Sequence, residues 1–211
     1  MFKFIVSGLA ALAMAPAVNA QYPNPGPVSG NTFTHDPTVA KTPSSGYLMA
    51  FFLPTVSASK FPPTAPGGLK LVELDPTTGK RKGTGMTSIA ARPNNGGELE
   101  APFITKRGNY YYLWTSFDRC CKGKDSTYRI MVGRATNIKG PYVDKSGKQM
   151  MQGSGNQIIA GHGQIRGPGH NAVVTDNNTD VLVYHYFDAT RGDARIDINL
   201  LRYDNGWPVA Y

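Results

Sequence analysis

The strongest constraint on this fold is a series of short apolar segments. Each is closed by glycine, proline, asparagine or aspartate, and none sustains a helical period. Gly46 to Leu53 and Gly68 to Asp75 are strand candidates, the second closed by a Pro76-Thr77-Thr78-Gly79 turn. Phe103 to Thr105 and Tyr110 to Phe117 flank Lys106-Arg107-Gly108-Asn109, which predicts a β-hairpin. Further strands are expected at 127–134, 171–175, 180–187 and 195–203. Short strands at near-regular spacing imply an all-β sandwich, barrel or propeller, and no crisp internal repeat selects among them. The interval Pro54 to Gly68 carries four prolines and little patterning, as if two pieces of sheet had been joined through unrelated sequence.

The N-terminus has the form of a secretory signal peptide, residues 1–20. Met1-Phe2-Lys3 supplies positive charge, Phe4 to Ala15 an apolar core, and Val18-Asn19-Ala20 a small-residue cleavage site. The apolar run is broken by Ser7, Gly8 and Pro16 and falls short of the ~20 residues that span a bilayer. Residues 21–211 are then expected to form a single domain, secreted and extracellular, with no membrane partner. The formal net charge of +8 is scattered, with its densest cluster at Lys80-Arg81-Lys82, and no nucleic-acid-binding motif accompanies it. Such a basic surface suits an anionic polysaccharide such as pectin, or no specific partner at all. The two cysteines, Cys120 and Cys121, are adjacent. They form either a vicinal disulfide or two free thiols, and neither arrangement closes a long loop. Asn177-Asn178-Thr179 fits a glycosylation acceptor if the source is eukaryotic.

Chemistry is suggested by Gly97-Glu98-Leu99-Glu100-Ala101-Pro102-Phe103, which sets a carboxylic acid at the mouth of the aromatic hairpin. Leu99, Ala101, Pro102 and Phe103 surround Glu100 with apolar groups, and desolvation of that kind favours a neutral carboxyl. Asp36, in the polar turn Thr34-His35-Asp36-Pro37, is suited to remain ionised. Two carboxyl groups, one donating a proton and one activating water, are what glycoside hydrolysis needs. A strand-end surface acid and a plain Asp-Pro turn are the structural alternatives. The glycine-rich segment Gly161 to Asn171 presents His170, which could bind a sugar hydroxyl, orient an acid or ligate a metal. No zinc-protease spacing, EF-hand pattern, phosphate loop or nucleophile elbow occurs, so any calcium would be bound irregularly.

These residues carry a resemblance to the secreted endo-1,5-α-L-arabinanases of glycoside hydrolase family 43. It runs from about Leu69 to Tyr211 through Leu71-Val72-Glu73-Leu74-Asp75-Pro76, Leu99-Glu100-Ala101-Pro102 and Ser116-Phe117-Asp118 leading to Cys120-Cys121. It continues through Asp125-Ser126-Thr127-Tyr128, Val132-Gly133-Arg134, Gly140-Pro141-Tyr142-Val143-Asp144, Gly167-Pro168-Gly169-His170-Asn171, Leu201-Arg202-Tyr203 and Gly206-Trp207-Pro208. A shorter match covers His35-Asp36-Pro37.

The resemblance implies a five-bladed β-propeller and inverting hydrolysis of arabinan, the pectin side chain. It implies Asp36 as general base, Glu100 as general acid and His170 at a central channel near a metal ion, calcium being the candidate, or water. Phe117 and the cysteine pair would lie near the sugar groove, with Phe117 and His170 touching substrate. The expected assembly is a monomer. One departure stands out: the family's third acid, an aspartate in a Trp-Ala-Pro-Asp motif that tunes the general acid, has no counterpart before Leu69. At ~40–50 residues per blade of a common propeller, residues 21–211 make three to four blades. The sequence therefore predicts an incomplete propeller of weak or no activity, with a non-catalytic arabinan- or pectin-binding remnant as the alternative.

Overall fold

A computed structural model describes residues 68–71, 73, 83–94 and 96–211. Asp36, the Gly46–Leu53 segment, the leader and most of the Pro54–Gly68 interval lie outside these residues.

The described elements are all short or medium strands apart from two single-turn 3-10 helices at Gly123–Asp125 and Met150–Gln152. The strands are β1 (Leu69–Leu71), β2 (Thr87–Ala90), β3 (Leu99–Arg107), β4 (Tyr110–Phe117) and β5 (Arg129–Ala135). They continue as β6 (Asn156–Ile159), β7 (Ile165–Asp176), β8 (Thr179–Asp188), β9 (Ala194–Asp204) and β10 (Trp207–Ala210). β1 and β2 pair with each other. β3-β4-β5-β6 and β7-β8-β9-β10 are two four-stranded antiparallel meanders. The all-β expectation holds.

Three hairpins are closed by two-residue turns whose residue types follow from handedness. The twist of paired strands favours primed turns, which need positive φ. Gly108 (φ 55°) supplies it between β3 and β4, Asn177 and Asn178 (φ 45° and 64°) between β7 and β8, and Asn205 and Gly206 (φ 53° and 73°) between β9 and β10. The β3–β4 turn is thus tighter than the four residues expected from sequence, because Arg107 pairs with Tyr110.

The alternation in β4 explains how the sheets stack. Successive side chains point to opposite faces. Leu113 enters a core with Leu99, Met131, Tyr142 and Met150. Tyr112 and Trp114 enter a second core with Ile130, Val132, Val173, Leu182 and Tyr184. That second core is drawn from both four-stranded sheets and lies between them. Full burial of a large apolar side chain stabilises by ~1.5–3 kcal/mol, and Trp114, Leu113, Ile130 and Leu182 are all 0% exposed. The polar tips are accommodated as well. Trp114 Nε1 donates to Thr105 Oγ1 at 3.0 Å, and Tyr112 Oη to the Gly206 carbonyl at 2.6 Å.

A buried carboxylate ties the sheets together at the far end of β3. Asp180 Oδ2 accepts from Arg107 Nη1 at 2.9 Å and Tyr203 Oη at 2.7 Å, while its Oδ1 accepts from Thr175 Oγ1 at 2.6 Å. Burial, and then the Asp180 carboxylate, push the Tyr203 phenol well above its ordinary proton affinity. Among the described residues no helix is long and apolar enough to cross a membrane.

Candidate active site

β3 and β7, the first strands of their meanders, share a defect. Pairing of β3 with β4 shifts between Glu100 and Phe103, and pairing of β7 with β8 shifts twice between Arg166 and Ala172. Each irregularity contains a non-glycine residue in the left-handed region, Ala101 at φ 49° and His170 at φ 49°. The cause in β3 is legible in its chemistry. Pro102 has no N–H to continue the ladder and is tolerated within a sheet at a bulge. Such bulges re-aim side chains, and positive φ at ordinary residues clusters at functional sites.

The two defects meet over Ser116. Glu100 is paired with Ser116 across the ladder. The fully buried Ser116 hydroxyl accepts the backbone N–H of His170 at 2.8 Å. Glu100 and His170 are therefore brought together, as parts of two different sheets. His170 lies within β7, which begins at Ile165 rather than at the Asn171 expected from sequence. Irregular pairing lets this glycine-rich segment remain strand, which corrects the sequence reading.

Glu100 is half-buried, and its Oε1 accepts a hydrogen bond from the Tyr128 hydroxyl at 2.8 Å. Tyr128 is 1% exposed and leads into β5. Its ring fits only because β7 carries glycine beside it. A Cβ on Gly169 would penetrate the Tyr128 ring, and one on Gly167 (φ 53°) would strike Ser126. Behind Tyr128 lies His185, 0% exposed, with ring centroids 6.1 Å from Tyr128, 6.4 Å from His170 and 5.7 Å from Phe187. His185 Nε2 is 3.8 Å from Cys120 Sγ. Cys120 and Cys121 form a vicinal disulfide, which selects one of the two states left open by sequence.

Phe117, expected near the sugar groove, is a buried side chain. It is 3% exposed within the first core, and the Arg92 guanidinium sits 4.4 Å above its ring. Arg92 Nη1 in turn donates to Asp118 Oδ1 at 2.6 Å and to the Glu98 carbonyl at 2.9 Å, while Arg129 Nε meets Asp118 Oδ2 at 2.7 Å. This clamp closes the end of the β3–β4 ladder next to Glu100, gripping the Glu98 carbonyl just before β3 and Asp118 just after β4. Among the described residues no three of His, Cys, Asp or Glu gather where a metal ion could be held.

The arrangement presents a carboxyl group anchored through one oxygen, with the left-handed backbone of His170 held at the serine that faces Glu100 across the ladder. It is a preformed position for a proton donor or acceptor. Tyr128, Ser116, His185 and Gly169 received no role from sequence, although Ser116, Tyr128 and Gly169 stand in segments that carry the family resemblance. Their signal is geometric: each acts across strands that sequence spacing does not reveal as neighbours.

The pattern of the glycosyl hydrolases family 43 matches residues 9–208. The chain belongs to this family. Over 142 residues it is 49% identical to the extracellular endo-α-(1→5)-L-arabinanase 1 of Bacillus subtilis, an alignment covering 67% of this chain and 43% of that protein. It is 38% identical to the extracellular exo-α-(1→5)-L-arabinofuranosidase ArbA of Cellvibrio japonicus, over 67% of this chain and 44% of that one. Among solved structures, it is similar to the Cellvibrio cellulosa α-L-arabinanase complexed with arabinohexaose, with a TM-score of 0.65 and 37% identity, covering 69% of this chain and 50% of the other. The family 43 endo-arabinanase of Bacillus licheniformis gives a TM-score of 0.63 and 52% identity, over 67% and 48%. The chain thus spans less than half the length of these two curated relatives.

Proposed function

We propose that this family 43 chain descends from an enzyme that cleaves α-1,5-L-arabinofuranosidic linkages inside arabinan with inversion, and that it retains the acid half of the site. The observation that carries the reading is Glu100 held at the β3 bulge by Tyr128, with His170 beside it over the shared Ser116. Support also comes from the relatives, several of which are arabinanases.

Glu100 is the general acid and Asp36 the general base. Tyr128 occupies Oε1, so the proton to be delivered is carried on Oε2 and faces the leaving oxygen. As the glycosidic bond breaks, Oε2 gives up that proton, while Asp36 takes one from a water attacking the anomeric carbon from the opposite face. Inverting geometry requires the two carboxyl groups to stand ~6.5–9.5 Å apart. His170 is assigned to a substrate hydroxyl, and Phe117 acts from beneath by supporting Arg92. No step runs through calcium: the ion takes ~6–8 oxygen ligands, and no three of His, Cys, Asp or Glu gather to hold one among the described residues.

In the proposed architecture the two meanders are blades of a five-bladed propeller, of which residues 21–211 make three to four. Residues 1–20 are a signal peptide, the product is secreted, and it acts as a monomer on arabinan. Because the chain spans under half of these relatives, the second reading is an arabinan-binding remnant with weak or no turnover.

The test is sugar release from debranched arabinan by the wild-type chain and by Glu100→Gln. Turnover that falls ~10²–10⁴-fold in the variant, the usual effect of losing an acid catalyst, supports the enzyme reading. Binding of arabinohexaose without turnover in either supports the remnant. Turnover indifferent to Glu100→Gln overturns the assignment.

A further inference from the structure

A second polar cluster lies outside the Glu100 site. Between the end of β6 and the face of β8–β9 is an open crevice of about 310 Å³, at the lower end of the size of small-molecule sites. Ile159 and Ala210 line it with apolar surface, and Tyr184, Asp197, Asn199 and His162 supply polar groups. Ile159 pairs with Ile130, Ile130 with Ser116, and Ser116 with Glu100. The crevice wall is therefore three strand spacings from the Glu100 strand, about 14 Å at ~4.8 Å each.

The hydrogen-bond inventory here does not close on itself. Tyr184 Oη lies 2.7 Å from Asn199 Oδ1 and 3.1 Å from Asp197 Oδ2. A phenol has one proton to give, so it can satisfy only one of these acceptors at a time. Reversing the Asn199 amide is disfavoured because its Nδ2 donates to the Tyr211 carbonyl at 3.3 Å. Asp197 Oδ1 already accepts the Ile198 N–H at 2.8 Å, which leaves Oδ2 as the oxygen that needs a donor. Also lining the crevice, His162 Nδ1 lies 2.9 Å from the Ala160 carbonyl, so in the neutral imidazole the hydrogen sits on Nδ1 and Nε2 is an acceptor.

A cluster rich in acceptors and poor in donors, beside an apolar wall, is matched by a ligand with several hydroxyl hydrogens and a C–H face. We infer that this crevice is an accessory carbohydrate subsite for an arabinofuranosyl unit, separate from the Glu100 site. The sugar's hydroxyls donate to Asp197 Oδ2 and His162 Nε2, and its C–H face lies on Ile159 and Ala210. The choice of arabinose rests on the proposed function; the choice of a neutral polyol rests on the acceptor count.

The experiment is a residue-resolved NMR titration of the full Glu100→Gln chain, which does not consume the probe, with arabinohexaose and with cellohexaose as control. The expected result is two sets of shifted amides, one at Glu98–Ala101 and His170, the other at His162, Tyr184 and Ala210. Adding Asn199→Ala weakens the second set about tenfold, the effect of ~1.4 kcal/mol, and leaves the first in place. Asp197→Asn, which keeps the side-chain volume, does the same should Asn199→Ala fail to fold. Crevice amides unmoved while the Glu100 set saturates would overturn the inference and spare the proposed function. Crevice shifts without the Glu100 set would do the reverse, and silence at both overturns both. Equal crevice shifts with cellohexaose also overturn the inference.

Discussion

Gly169→Ala tests the physical core of the site. The added Cβ lands on Cδ1, Cε1 and Cγ of Tyr128, a buried ring. The ring cannot easily recede, because His185 lies behind it and its hydroxyl is bonded to Glu100. Overpacking a tight core costs ~1–3 kcal/mol, and dislodging the Tyr128–Glu100 hydrogen bond adds ~0.5–1.5 kcal/mol. A total of about 2–4 kcal/mol, at roughly 2–4 °C per kcal/mol for a chain of this size, lowers Tm by about 4–16 °C.

Thermal unfolding followed by circular dichroism measures this directly, and a double-mutant cycle isolates the cause. In a Tyr128→Ala background the ring is gone, so Gly169→Ala should cost under ~1 kcal/mol, leaving mainly ordinary backbone effects. An equal cost in both backgrounds, or an unchanged Tm in the single variant, would refute the packing argument. Tyr128→Phe completes the set. It keeps the ring and loses the hydroxyl, so it should cost ~0.5–1.5 kcal/mol and reduce any turnover through misplacement of Glu100.

Other expectations follow from the same contacts. Asp180→Ala strands Tyr203, Thr175 and Arg107, and should destabilise by about 2–4 kcal/mol in urea unfolding. That is below the cost of a fully buried lone charge, because the Arg107 side chain is 44% exposed. Burial disfavours ionised Asp144, but donors from Ser146 and Lys148 outweigh it and hold the carboxyl below its usual 3.8. Its contribution is therefore complete above pH 3.8 and lost as pH falls through the lower folded value. The stability gap between wild type and Asp144→Asn should stay constant from pH 7 to about 5 and narrow at pH 3. Replacing both Cys120 and Cys121 by serine should lower Tm by only about 2–4 °C, because a two-residue loop limits the entropic gain to ~1 kcal/mol.

Much of the fold was legible because alternation and turn chemistry are local. Tyr110–Phe117 matches β4 to the residue, and the strands expected at 180–187 and 195–203 lie within β8 and β9. β2, β6 and β10 escaped: each has four residues and lies at a sheet edge, too short for alternation to register. β7 extends back to Ile165 through a segment whose glycines suggest a loop, since bulged pairing accommodates what regular pairing would reject. Of the site, Glu100 and His170 were identifiable as residues, but not their meeting over Ser116. Phe117 illustrates the limit from the other side: an aromatic at a strand end reads equally well as platform or core, and sequence did not reveal its burial beneath Arg92. Asp36 lies outside the described residues.

The acid site is composite. Glu100 belongs to β3, the hydroxyl that holds it comes from the residue before β5, and room for that hydroxyl's ring is made by Gly169 of β7. Ser116 of β4 then ties His170 to the same place. Two sheets are thus needed to position one carboxyl group, and both are present in this chain. Glu100, Ser116, Tyr128, Gly169 and His170, which make up this arrangement, all lie among the described residues. The orientation of the acid and the supply of an activated water are therefore separable. Under the proposed function, Tyr128 holds the carboxyl group of Glu100 in this chain, while turnover depends in addition on the segment that carries Asp36.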